Sequence, residues 1–127
     1  MRKVYISGPM RGVKDHNHSE FCEAQQRLEQ AGYQVFNPSA IARCMGYGPP
    51  GTSKSDSEQI GALRHVFQSD IACLYSSYTI ALLPGWERSV GARAEYCLAM
   101  VLGLKVVCAK TLVPLEVDVR IEFQPKE

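Results

Sequence analysis

The spacing of apolar positions switches repeatedly between short continuous runs and three- or four-residue intervals, outlining an alternation of strands and helices. Lys3–Ser7 is a short strand-like run. Beyond the loop Gly8–His16, the residues Phe21, Ala24, Leu28 and Ala31 recur at helical spacing. They predict a helix starting at Asn17, with Glu20 completing a capping box and Gly32 as the C-cap. Tyr33–Phe36 reads as a second strand, ended by Asn37-Pro38. The stretch Cys44–Ser57 is too rich in Gly, Pro and Ser for regular structure and predicts a mobile lid. Ile60, Leu63, Phe67, Ile71 and Leu74 mark a helix of about four turns. Thr79–Leu83 has the apolar density of a core strand, and Pro84-Gly85 punctuates it. Ser89 is placed to N-cap a helix whose apolar stripe is Val90, Ala94, Leu98 and Leu102, closed by Gly103. Lys105–Ala109 follows as a strand. In the tail Glu116–Phe123, Val117, Val119, Ile121 and Phe123 alternate with Asp118, Arg120 and Glu122, which predicts a half-exposed edge strand or a subunit contact.

Strands that read as apolar runs, separated by helices, argue for a parallel sheet covered on both faces. The predicted fold is therefore a single α/β domain over residues 1–127. It is doubly wound, with a mostly parallel sheet of about five strands in a flavodoxin-like order.

Composition narrows the partners. Fourteen basic and 13 acidic residues nearly cancel and form no basic stripe, so duplex nucleic acid and an anionic membrane are disfavoured and a small molecule is favoured. There is no 18-residue apolar run and no basic-then-apolar leader, which predicts a cytoplasmic protein. The five cysteines, Cys22, Cys44, Cys73, Cys97 and Cys108, are spread singly and fit reduced thiols. His16 and His18 have no further ligand at metal-site spacing, so neither a metal nor another cofactor is assigned.

One residue conflicts with the pattern. Glu95 falls beside the apolar stripe of the last long helix, where a carboxylate needs a partner or a task. In a doubly wound sheet, ligands bind beyond the carboxyl ends of the strands where strand order reverses, which for a 2-1-3-4 order selects the loops Tyr5–Gly12 and Pro84–Ser89. Gly8 and Gly12 permit close backbone approach, Arg11 offers a forked cation, and Ser89 sits at a helix N-terminus, so an anion fits there. Taken singly, the glycines are also ordinary turn residues and Ser89 an ordinary cap. Asp70 lies near the inward face of the preceding helix. Two carboxylates at the strand ends suit glycosidic chemistry, and ion pairing with Arg11, Arg64 or Arg93 is the structural alternative. The phosphate-loop and dinucleotide fingerprints are absent. Trp86, Tyr47 and Met45 offer apolar surface to a nucleobase, and Trp86 equally suits packing against the following helix.

With these residues in view, the chain resembles the nucleoside 2-deoxyribosyltransferase superfamily, in particular its small phage-type members. It is also similar to the 2′-deoxynucleoside 5′-phosphate N-hydrolases. The resemblance rests on Tyr5, Gly8 and the triplet Met10-Arg11-Gly12, on Ser89 six residues before Glu95, and on Asp70 upstream. Where the transferases carry an Asp-rich stretch, this chain has Pro84-Gly85-Trp86-Glu87-Arg88, a form typical of the phage-type group. The resemblance implies that Glu95 is the nucleophile on the anomeric carbon, that Tyr5 orients it, and that Asp70 binds the sugar or assists the leaving base. Ser7, Gly8, Met10, Arg11, Gly12, Ser89 and Gly91 would line the phosphate and sugar pocket, with Trp86 and Tyr47 nearest the base. It implies no cofactor and a homodimer or higher homo-oligomer.

The expected activity is cleavage or transfer at the N-glycosidic bond of a nucleoside or its 5′-monophosphate through a glycosyl-enzyme intermediate. A non-catalytic nucleotide-binding module and a glycohydrolase acting on a nicotinamide dinucleotide are the alternatives.

Overall fold

The computed structural model describes residues 2–46 and 56–117, the side chains of 56–60 apart. Four strands, β1 (Lys3–Ser7), β2 (Gln34–Phe36), β3 (Thr79–Leu82) and β4 (Lys105–Cys108), form an all-parallel sheet in the order β2-β1-β3-β4. Four α-helices accompany them: α1 (His18–Gln30), α2 (Pro38–Cys44), α3 (Asp56–Tyr75) and α4 (Val90–Leu102). This is the doubly wound α/β arrangement that the apolar runs predict. In register, Tyr5 of central β1 lies between Phe36 of β2 and Ile80 of β3.

The period-two alternation of each strand divides the core. Val4, Ile6, Ala81, Leu83 and Val107 pack with Phe21, Ala24 and Leu28 of α1 on one face. Tyr5, Ile80 and Leu82 pack with Leu74 of α3 and with Trp86, Ala92 and Ala99 on the other. Helices α1 and α4 both end on a left-handed glycine. Gly32 has φ 92° and Gly103 φ 76°, and the following N–H groups of Tyr33 and Leu104 donate back to the Leu28 and Ala99 carbonyls.

Several expectations change. Asn17 does not cap α1 through its side chain. It sits in a left-handed run with Asp15 and His16, and its Nδ2 donates to the Pro9 carbonyl at 3.0 Å instead. Helix α2 is new. Asn37 ends the second strand as predicted and also caps α2, its Oδ1 accepting from the Ser39 and Ala40 amides, with Pro38 in the first helical turn. Most of the expected lid, 47–55, lies outside the described residues; Cys44 closes α2 and Asp56-Ser57 open α3.

The inner stripe of α4 is Ala92, Glu95 and Ala99. Val90 is 83% exposed and Ala94 is also exposed, because this helix is apolar on both sides and the sheet takes the side with small residues. Of the expected tail strand, 118–123 lie outside the described residues. The preceding segment pairs antiparallel with β4, through a Val107–Pro114 bridge and the Leu115 amide donating to Val106. Among the described residues no helix is long and apolar enough to cross a membrane.

Candidate active site

The site is assembled around the carboxyl end of β1. Tyr5 and Ser7 are two residues apart on a strand and therefore project to the same face, where α4 crosses. Both are completely buried. The Tyr5 hydroxyl donates to Oε2 of Glu95, and the Ser7 hydroxyl donates to Oε1 at 2.7 Å. Glu95 is only 6% exposed. Each of its oxygens is thus met by a hydroxyl, and the ion-pair alternative is not what holds this carboxylate.

Burial pushes the Glu95 carboxyl up to about 6, while the two hydroxyls pull the other way. Raising it from 4.5 to about 6 costs about 2 kcal/mol of anion stability at neutral pH. That value already includes the two hydroxyl hydrogen bonds, and it leaves the group mostly ionised at pH 7. The Tyr5 hydroxyl is pushed well above its ordinary range, by burial first and then by the charges of Glu95 and Asp70, so it remains a donor.

Asp70 approaches from α3. It is 8% exposed, and among the described residues no donor reaches its Oδ1. Burial, and after it the charge of Glu95, raises Asp70 to about 7. The two acids are therefore differentiated by environment: one is clamped as a carboxylate, and the other retains a proton near neutrality. Cys73, one turn along α3 from Asp70, has its thiol pushed up by burial and by that neighbouring charge.

The residues expected to meet an anion lie at the start of α4 and in the β1–α1 loop. Ser89 Oγ caps the helix by accepting from the Ala92 amide at 3.2 Å. Gly91 is exposed in the first turn, with open space where a Cβ would stand. Arg11 is exposed, and Gly12 turns the β1–α1 loop at φ 75°. Gly8 has a packing reason of its own, since a Cβ there would stand 2.6 Å from that of Leu83. Met10 packs against the α1-side core. Trp86 is not a free stacking surface. It is 6% exposed, belongs to the α4-side core and lies against Tyr96 with ring centroids 4.9 Å apart, so its packing role prevails. Tyr47 lies outside the described residues.

Sequence reasoning put Ser7 in the ligand pocket and missed its bond to Glu95, although its two-residue spacing from Tyr5 signals a shared face. It also missed a polar cluster on the α1 side, where His18 Nδ1 lies 2.6 Å from Ser39 Oγ and Nε2 lies 3.4 Å from Cys22 Sγ. The five cysteines are free. Among the described residues no three His, Cys, Asp or Glu side chains converge as metal ligands.

The profile of a family described as a domain of unknown function (DUF4406) matches residues 2–108. The chain belongs to this family. A solved structure with a similar fold is a 2-deoxyribosyltransferase from the psychrotolerant bacterium Bacillus psychrosaccharolyticus, described as a biocatalyst for the synthesis of antiviral and antitumoral nucleosides. It is 18% identical, the match covers 84% of this chain and 70% of that one, and the TM-score is 0.59. The DUF4406 chain thus has a nucleoside deoxyribosyltransferase-like fold. No curated protein sequence matches it.

Proposed function

We propose that this protein cleaves or transfers at the N-glycosidic bond of a nucleoside or nucleoside 5′-monophosphate. The observation that carries the reading is the clamp on Glu95. A buried carboxylate with each oxygen held by a hydroxyl, beside a second acid that keeps its proton near neutral pH, is a nucleophile paired with a proton donor. The fold of the deoxyribosyltransferase neighbour supports the same reading.

In the first step a Glu95 oxygen attacks C1′ and the C1′–N bond breaks with its electron pair going to the base. Asp70 delivers the proton that the departing base nitrogen takes up. The glycosyl ester formed on Glu95 is then attacked at C1′ by water or by a ring nitrogen of a second base, the proton that either one loses returns to Asp70, and the Glu95 carboxylate is released. Tyr5 and Ser7 hold the carboxylate in position throughout. Arg11, Gly12, Ser89 and Gly91 are the groups suited to a 5′-phosphate. Ser89, the N-cap, and Glu95 within α4 are six residues apart, about 9 Å along the axis, a span that fits a phosphate at one end and C1′ at the other.

The test is incubation of the purified protein with nucleosides and nucleoside monophosphates, with and without a second free base, and chromatographic resolution of the products. Base release by the wild type, reduced at least about 10³-fold in Glu95→Gln while ligand binding persists, supports the reading. A wild type that turns over no nucleoside or nucleotide in a broad panel refutes it.

A further inference from the structure

Left-handed backbone crowds the Cβ of an L-residue against the following carbonyl, so outside glycine it occurs as single residues, chiefly Asn and Asp. Between β1 and α1 it occurs three times in succession. Asp15, His16 and Asn17 have φ 54°, 51° and 62°, with ψ between 23° and 34°. None of them is glycine, which takes this shape at no steric cost. Such a run persists only where its surroundings over-determine it. Two side-chain ties do so here. Asn17 Nδ2 donates to the Pro9 carbonyl at 3.0 Å, which closes the segment 9–17 on its own start. From α2, the Arg43 guanidinium donates to the Asp15 carboxylate at 2.6 Å and reaches the Asp15 carbonyl at 3.5 Å.

The ring so closed carries Arg11 and Gly12. Met10 packs against the α1-side core, the Val13 amide donates to the Met10 carbonyl at 3.3 Å, and Gly12 turns the chain at φ 75°. Arg11 therefore stands exposed at the tip of a tight turn whose base is anchored and whose far end is the left-handed run. We propose that Arg43 is a positioning residue for this loop: by latching Asp15 it holds the strained turn 15–17, and through it the Arg11–Gly12 tip, in the shape that takes an anion. The proposal rests on the reading of that tip as the 5′-phosphate end of the site.

Latch and load are closely matched. An ion pair whose side chains are 35% and 51% exposed is a weak one, and a non-glycine left-handed residue costs at least as much. Without the latch, Asp15, His16 and Asn17 relax toward the right-handed region, Asn17 leaves the Pro9 carbonyl, and the ring opens. The affinity of the loop for an anion then follows the fraction of molecules in which the ring is closed. Arg43 acts on the ligand only through the turn, so a change that removes the strain also removes the need for the latch. His16 makes neither tie, and glycine in its place relieves strain without cutting one.

Calorimetric titration of inorganic phosphate and the common 2′-deoxynucleoside 5′-monophosphates tests this in a Glu95→Gln background, where the proposed reaction cannot consume the ligand. Circular dichroism confirms that each variant is folded. Arg43→Ala weakens binding of the monophosphates about fivefold. His16→Gly raises the urea midpoint, and added to Arg43→Ala it restores binding to within about twofold of the parent. A midpoint that His16→Gly leaves unchanged or lowers overturns the proposal, because the turn then carries no strain. Arg43→Ala that binds like the parent overturns the latch. A loss that His16→Gly does not restore overturns it too, since Arg43 then acts by a route other than the turn. A parent that binds none of these ligands removes the anion loop and the proposal with it. Base release from unphosphorylated nucleosides by the wild type would still uphold the proposed reaction, so the two failures are read apart.

Discussion

Replacing Asp70 with Asn should stabilise the protein above neutral pH while disabling it. The folded state raises this carboxyl from 3.8 to about 7, chiefly by burial and then through the charge of Glu95. A group whose pKa is higher folded than unfolded contributes stability that is complete below the unfolded value and lost as pH rises through the folded one. Wild-type stability therefore declines between about pH 4 and pH 8, because the unfolded chain ionises Asp70 freely and the folded chain does not. The interval corresponds to about 4 kcal/mol at full value, and solvent at the mouth of the site reduces it to about 2–3 kcal/mol. The amide has nearly the shape of the protonated acid and does not titrate, so the variant matches the wild type at pH 4 and exceeds it by that amount at pH 8. Glu95 titrates in both proteins and largely cancels in the comparison. Urea unfolding followed by fluorescence of Trp86, the single tryptophan and 6% exposed, measures the difference at each pH. The same variant should lose about 10²–10⁴-fold in base release, the usual contribution of a general acid. Parallel stability–pH curves for the two proteins would refute the assignment of a buried, titrating Asp70.

Three further outcomes follow from the same geometry. Tyr5→Phe removes a hydrogen bond that holds the Glu95 carboxyl down, so the acid limb of the pH–rate profile moves to higher pH and kcat falls about 10²-fold; an unmoved limb contradicts the clamp. Gly8→Ala, with its Cβ driven to 2.6 Å from that of Leu83, loses about 1–3 kcal/mol in urea unfolding, whereas Gly12→Ala, in open space at φ 75°, loses only the about 1–2 kcal/mol of a left-handed alanine. Asn37→Ala removes the acceptor for two α2 amides and a 3.0 Å bond to Gln25, and should cost about 1–2 kcal/mol in the same assay; an unchanged midpoint argues against the cap.

The parallel sheet and its 2-1-3-4 order were legible because each strand is a short apolar run bounded by glycine, proline or asparagine. The segment from Thr79 to Gly103 is the clearest case: its strand, its left-handed Gly85, the Ser89 cap and the Gly103 stop all stand where the residues suggest. The phase of α4 was not legible. Periodicity locates a face only when the opposite face is polar, and with apolar residues on both sides the larger side chains of the Val90 row pointed to the wrong one. The choice is made by the sheet, which leaves room for Ala92 and Ala99 and seats Glu95 between them. The α1 cap was misread for a related reason. A Ser/Thr/Asn-to-Glu spacing describes a cap only when the backbone enters the helix from an extended conformation, and Asn17 enters from a left-handed one at φ 62°. Glu95 and Asp70 were legible as misplaced acids; the second hydroxyl on Glu95 required combining strand parity with the crossing of a helix far along the chain.

Tyr5 and Glu95 are 90 positions apart, and the strand bearing Tyr5 lies in the middle of the sheet. Although β1 precedes β3 and α4 along the chain, it is paired on both sides only once β3 is in place and meets Glu95 only once α4 is, and contacts of such long range form slowly. The pairing of β1 with β3 and the crossing of α4 together bring both hydroxyls to the carboxylate. The acid pair is thus coupled to the closure of the domain, and a chain that has not finished folding has no clamped carboxylate to expose.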